Sequence, residues 1–86
     1  MAEVIVYATK FCPYCVSAKK LLRKKGVKFT EIDVTFNPAL REEMTRKAHG
    51  RHTVPQIFIN GRHIGGCDDL YALEEAGRLD PLLREG

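Results

Sequence analysis

The sequence has no tryptophan, and no apolar run in it approaches the ~20 residues that a membrane-spanning helix needs. It has no second C-x-x-C pair and no H-x(3–5)-H pair, the spacings that usually build a structural zinc site. No basic segment followed by an apolar one opens the chain, so no secretory leader is expected and a cytoplasmic location is. In that compartment thiols are kept reduced, and cysteines tend to be catalytic or metal-binding. There is no internal repeat, linker or low-complexity stretch, so residues 1–86 are expected to form a single domain. Charge of one sign is also lacking: 14 basic and 11 acidic residues leave a net charge of only +3. Lys19, Lys20, Arg23, Lys24 and Lys25 cluster, but within one helical segment that also carries an apolar stripe, as a solvated helix face does. Without interleaved aromatics they do not point to a nucleic-acid partner. A weakly basic surface does suit a small anionic substrate or acidic protein partners.

What is present is a normal globular share of apolar residues, 44%, in a pattern that alternates strands and helices. Val4–Ala8 is apolar on both faces, as a central strand is. After the turn Thr9-Lys10-Phe11, Cys12-Pro13-Tyr14-Cys15 opens a helix that runs to about Lys25 and stops at Gly26. Val27–Val34 reads as a second strand. Asn37-Pro38 caps a second helix, with Leu40, Met44 and Ala48 at four-residue spacing. Gln56–Ile59 and Arg62–Gly65 flank Asn60-Gly61, a strong hairpin signal. Asp68 or Asp69 is read as capping a last helix, with Leu70, Leu73 and Ala76 inward and Gly77 at its end. Asp80-Pro81 begins a short helical tail. The order β-α-β-α-β-β-α predicts an α/β fold, a mixed four-stranded sheet with helices on both faces.

Two thiols at the point where a strand hands over to a helix read as a redox pair. Cys12 is expected at the N-cap or first position, facing unpaired N–H groups and the positive end of the helix dipole. Those groups, with Lys10 nearby, favour the thiolate, which is the nucleophilic form. Cys15 lies one turn inward on the same face and is expected to attack second. Two other readings compete. One is a zinc site using Cys12, Cys15, Cys67 and one of His49, His52 or His63; the other is a pair of inert buried cysteines. Pro55, in Thr53-Val54-Pro55, is either a plain strand starter or a cis proline presenting a backbone edge, and general frequencies favour trans. Gly65-Gly66-Cys67-Asp68-Asp69 allows close backbone approach and offers helix N–H groups to a carboxylate. It reads equally as a glycine turn with an aspartate cap.

Taken together, Cys12-Pro13-Tyr14-Cys15, Thr53-Val54-Pro55 and Gly65-Gly66-Cys67-Asp68-Asp69 resemble the dithiol glutaredoxins, most nearly the small bacterial type, over almost the whole chain. The resemblance implies a thioredoxin fold and a glutathione-dependent thiol–disulfide oxidoreductase, with glutathione as co-substrate and no metal. It implies Cys12 as nucleophile, Cys15 as resolving thiol and a cis Pro55 beside Thr53. Val54 would pair its backbone with the cysteinyl part of glutathione. The N–H groups of Cys67 and Asp68, next to Gly66, would take the γ-glutamyl carboxylate. Asp68 would hold the ammonium group, Asp69 would support the cap and Tyr14 would wall the groove. One departure concerns the lysine that such proteins carry three residues before the nucleophile. Here that position is Thr9, and Lys10 and Arg51 are the candidates for the glycyl carboxylate of glutathione.

The partners implied are glutathionylated or disulfide-containing proteins, with ribonucleotide reductase among the candidates, met by a monomer. The alternatives weighed are a thioredoxin-like reductant served by a flavoprotein reductase, a glutathione-ligated iron–sulfur cluster carrier and a zinc-stabilised binding module.

Overall fold

The computed structural model describes residues 2–85. Its strands are β1 (Val4–Ala8), β2 (Thr30–Asp33), β3 (Gln56–Ile59) and β4 (Arg62–Gly65). Its helices are α1 (Pro13–Lys24), α2 (Pro38–Lys47), α3 (Cys67–Glu75) and α4 (Leu79–Arg84). The sheet order is β2-β1-β3-β4, with β1 parallel to β2 and antiparallel to β3, and β3 antiparallel to β4. This is the mixed four-stranded sheet that the element order predicts, in the thioredoxin arrangement that the resemblance implies.

Alternation along the two central strands divides the core between the faces of the sheet. Val4, Val6 and Ala8 of β1 and Ile57 and Ile59 of β3 point to one face, against Cys15, Ala18, Leu21 and Leu22 of α1, Leu70 of α3 and Leu79 and Leu83 of α4. Tyr7 and Phe58 point to the other, against Met44 of α2 and Ala48 at its C-cap. The hairpin turn has both Asn60 (φ 52°) and Gly61 (φ 78°) in the left-handed region, as an Asn-Gly type I′ turn requires. Asn60 also exchanges hydrogen bonds with the backbone of Glu3, which ties the turn to the start of β1.

Three boundaries differ from the sequence reading. The second strand begins at Thr30, not Val27. The Gly26 N–H donates to the Arg23 carbonyl and the Val27 N–H to that of Leu22, so Val27 is used up in closing α1 by a Schellman motif. Val27 and Phe29 spend their apolar surface on the core beside α1 instead of in the sheet. The third helix begins at Cys67, with Gly66 and not an aspartate as its N-cap. It also ends at Glu75, one residue early: Ala76, expected inward, is its C-cap and is exposed.

Candidate active site

The cysteine pair sits where β1 gives way to α1. The Lys10 N–H donates to Thr35 Oγ1 at 2.9 Å, pinning the turn to the loop that follows β2. Cys12 is the N-cap, with extended backbone (φ −134°, ψ 106°), and Pro13 fills the first helical position, where its missing N–H costs nothing. Cys12 Sγ accepts the Cys15 N–H at 3.2 Å, so a sulfur takes the place of the usual capping oxygen. The Cys12 thiol also lies 3.7 Å from the Val54 carbonyl, to which it donates. Cys12 is half-buried, whereas Cys15 is 0% exposed. Burial, reinforced by the hydrogen bond with Cys12, pushes the Cys15 thiol up to about 12, so it stays protonated at neutral pH. The two sulfurs are thereby set apart: one reachable and held by a helix N-terminus, one enclosed behind it.

Beside Cys12 runs a groove of about 250 Å³ whose walls are Thr53, Val54 and Pro55 on one side and Gly66, Cys67, Asp68 and Asp69 on the other, with Tyr14 and Arg51 at its edge. The Val54–Pro55 peptide bond is cis. Cys67 and Asp68 are the first two residues of α3, so their N–H groups have no intrahelical partner. Asp69 Oδ2 accepts the Gly66 N–H at 2.8 Å and the Arg51 guanidinium at 3.0 Å. These two donors, the backbone one first, hold the Asp69 carboxyl below its ordinary value. Burial, followed by the neighbouring charge of Asp68, pushes the Cys67 thiol up. Gly65 has φ +119°, and a Cβ there would run into the Asp69 carboxylate. Only glycine suits that position.

The structure thus brings together Cys12, Cys15, Tyr14, Thr53, Val54, Pro55, Gly66, Cys67, Asp68 and Asp69. Lys10 does not line the groove; its backbone is tied to Thr35 on the loop after β2. Arg51, the other candidate cation, does line it. A larger hollow of about 740 Å³ lies between β4, α3 and α4, but no cysteine lines it, so volume alone would misplace the chemistry. Among the described residues no group of three or more His, Cys, Asp or Glu side chains is placed to hold a metal ion.

One residue escaped the sequence reading. Gln56 is 0% exposed, and its amide reaches the Thr53 carbonyl on the groove wall. Its signal was a lone amide opening an otherwise apolar strand directly after Pro55.

A family model described as Glutaredoxin matches residues 4–64. Glutaredoxin 3 of Escherichia coli (strain K12) is 58% identical over 84 residues, covering 98% of this chain and 100% of that protein. A glutaredoxin of Pseudomonas aeruginosa is 58% identical over 83 residues, covering 96% of this chain and 98% of its own. Among solved structures, the glutaredoxin of Brucella melitensis superposes with a TM-score of 0.86 at 56% identity, over 98% of this chain and 90% of that one. The buckwheat glutaredoxin–glutathione complex superposes with a TM-score of 0.85 at 30% identity, over 95% and 76%.

Proposed function

The chain belongs to the glutaredoxin family and is a glutathione-dependent thiol–disulfide oxidoreductase, and on that premise we propose that Cys12 is its attacking thiol and that the groove between residues 53–55 and 66–69 holds the glutathionyl group. The observation that carries the reading is the placement of Cys12 Sγ at the N-cap of α1, 3.7 Å from the Val54 carbonyl on the groove wall.

In the first step the Cys12 thiolate attacks the glutathionyl sulfur of a protein–glutathione mixed disulfide. A Cys12–glutathione disulfide forms and the protein thiolate leaves. A second glutathione thiolate then attacks the glutathionyl sulfur, releasing glutathione disulfide and the Cys12 thiolate. This route uses one cysteine. In the two-cysteine route Cys12 attacks a protein disulfide and forms a mixed disulfide with the target. Cys15 gives up its proton, attacks Cys12 Sγ and releases the target as a dithiol. Two glutathione molecules reduce the resulting Cys12–Cys15 disulfide. A Cys15 thiol that stays protonated until this step does not compete with Cys12 for the first attack.

Within the groove the N–H groups of Cys67 and Asp68 take the γ-glutamyl carboxylate, the Asp68 carboxylate takes the ammonium group, and the Val54 backbone pairs with the cysteinyl part. Arg51 is better placed than Lys10 for the glycyl carboxylate, because it lines the groove. The partners on this reading are glutathionylated and disulfide-bearing proteins of a reducing, cytoplasmic compartment, ribonucleotide reductase among them, met by a monomer that needs no metal.

Turnover of a small glutathione mixed disulfide by Cys12→Ser and Cys15→Ser tests the assignment. Cys12→Ser is expected to lose activity. Cys15→Ser is expected to keep it while losing most reduction of protein disulfides. Substantial turnover by Cys12→Ser overturns the reading. Activity that a flavoprotein reductase supports without glutathione would instead favour a thioredoxin-like role.

A further inference from the structure

The segment between α2 and β3 has an unusual way of satisfying its carbonyl groups. Three consecutive carbonyls are each taken by a side chain from elsewhere: His52 O by the Arg41 guanidinium at 3.0 Å, Thr53 O by the Gln56 amide at 2.9 Å, and Val54 O by the Cys12 thiol at 3.7 Å. Among the described residues no backbone N–H outside the helices and strands donates to any of the three. This wall of the groove is therefore held by side chains rather than by secondary structure.

Of the three donors, Gln56 is the one that is fully buried. It is 0% exposed, and every polar group of its side chain is engaged. Its Nε2 donates to Thr53 O at 2.9 Å and to Thr53 Oγ1 at 3.3 Å. Its Oε1 faces His63 Nε2 at 2.7 Å. An amide oxygen only accepts, so His63 carries its proton on Nε2. The His63 ring is fixed in turn, with its centroid 5.1 Å from that of Phe58 and 5.4 Å from that of His49. A rigid chain of contacts thus leads from β4 through Gln56 to the Thr53 carbonyl.

Peptide planarity turns this anchor into a statement about the groove. The Thr53 C=O and the Val54 N–H belong to one peptide plane and point in opposite directions in a trans unit. Fixing Thr53 O toward a buried amide turns the Val54 N–H away from that amide. We infer that Gln56 is a positioning residue, which acts through the Thr53 carbonyl to orient the Val54 backbone for a glutathionyl group. The inference rests on the proposed groove, since it names what aims one wall of it.

The test compares two probes under single turnover with the fully reduced chain: a glutathionylated peptide, and the same peptide disulfide-linked to 2-mercaptoethanol, which has no peptide backbone for Val54 to pair with. For Gln56→Leu the half-saturating concentration of the glutathionylated peptide should rise about fivefold to tenfold, the value of roughly one backbone hydrogen bond. Its maximal rate should hold, and transfer from the mercaptoethanol probe should change less than twofold. A rise below twofold overturns the inference, and so does an equal loss on both probes, which marks a general structural defect. If Gln56→Leu does not fold, His63→Phe supplies the test, because it removes only the bond that orients Gln56 and keeps a ring against Phe58. A preference for glutathione that weakens supports the inference, and an unchanged one overturns it. Wild-type protein that takes both probes equally would bring down the groove assignment itself, and the role of Gln56 with it. A wild-type preference that survives in the variants removes Gln56 alone.

Discussion

Gly65 and Gly66 are neighbours with opposite tolerance for a methyl group, and the difference can be worked out from the structure. At Gly65, φ is +119°, where an L side chain is strained by about 1–3 kcal/mol. The added Cβ would also run into the Asp69 carboxylate and lie 2.8 Å from an Arg51 nitrogen. To make room, Asp69 must release the Gly66 N–H, a capping bond of about 1 kcal/mol. Gly65→Ala is therefore expected to lower stability by roughly 2–4 kcal/mol, or a fall in Tm of about 10–25 °C for a domain of this size. At Gly66, φ is −95° and the nearest atom to an added Cβ is the Pro55 carbonyl oxygen at 3.4 Å, an ordinary contact. Gly66→Ala should cost less than about 1 kcal/mol. Urea unfolding of both variants, and of Gly65→Ala combined with Asp69→Ala, measures these quantities. Because the clash is with Asp69, the two changes should cost about 1 kcal/mol less together than the sum of their separate effects. If Gly65→Ala lies within 0.5 kcal/mol of wild type (roughly the reach of an ordinary surface substitution), or if the pair is additive, the account of this turn is wrong.

Two further outcomes follow from burial. The Cys15 thiol sits at about 12 in the folded chain against 9.0 for a free thiol, so its contribution to stability is complete below pH 9 and is lost as pH rises from 9 toward 12. Stability measured between pH 8 and 11 should accordingly fall less steeply in Cys15→Ala than in wild type, and parallel slopes would refute the assignment. Leu22 is 0% exposed in the core between α1 and the sheet, and Leu22→Ala should cost about 2–5 kcal/mol in a denaturant titration. Val16→Ala, on the 56% exposed side of the same helix, should cost about 0.5 kcal/mol or less.

Much of this architecture was legible because local signals agreed with one another. β1, β3 and β4 fall on the residues expected, since they are bounded by a turn, a proline and the Asn60-Gly61 pair. The starts of α1 and α2 were likewise set by Cys12-Pro13 and Asn37-Pro38. What was not legible depends on hydrogen bonds that leave no mark on spacing. Val27 looked like strand but closes a helix. Gly66 has no side chain to announce a cap, and its N–H is served from Asp69, three residues on. At the site, the cysteine pair and the two groove walls were visible as motifs. The role of Arg51 in fixing Asp69, the absence of Lys10 from the groove lining and the bond from Gln56 to Thr53 were not. Each depends on where a side chain from one element meets the backbone or side chain of another, and no periodicity encodes that.

The claim on which the account turns is that Cys12 alone receives the glutathionyl group. Cys15→Ser protein, reduced and then exposed to glutathione disulfide, can be quenched in acid and its peptides mapped by mass. The account predicts one glutathione per chain, on Cys12, with Cys67 left as a free thiol. A glutathione on Cys67 with Cys12 unmodified would contradict it.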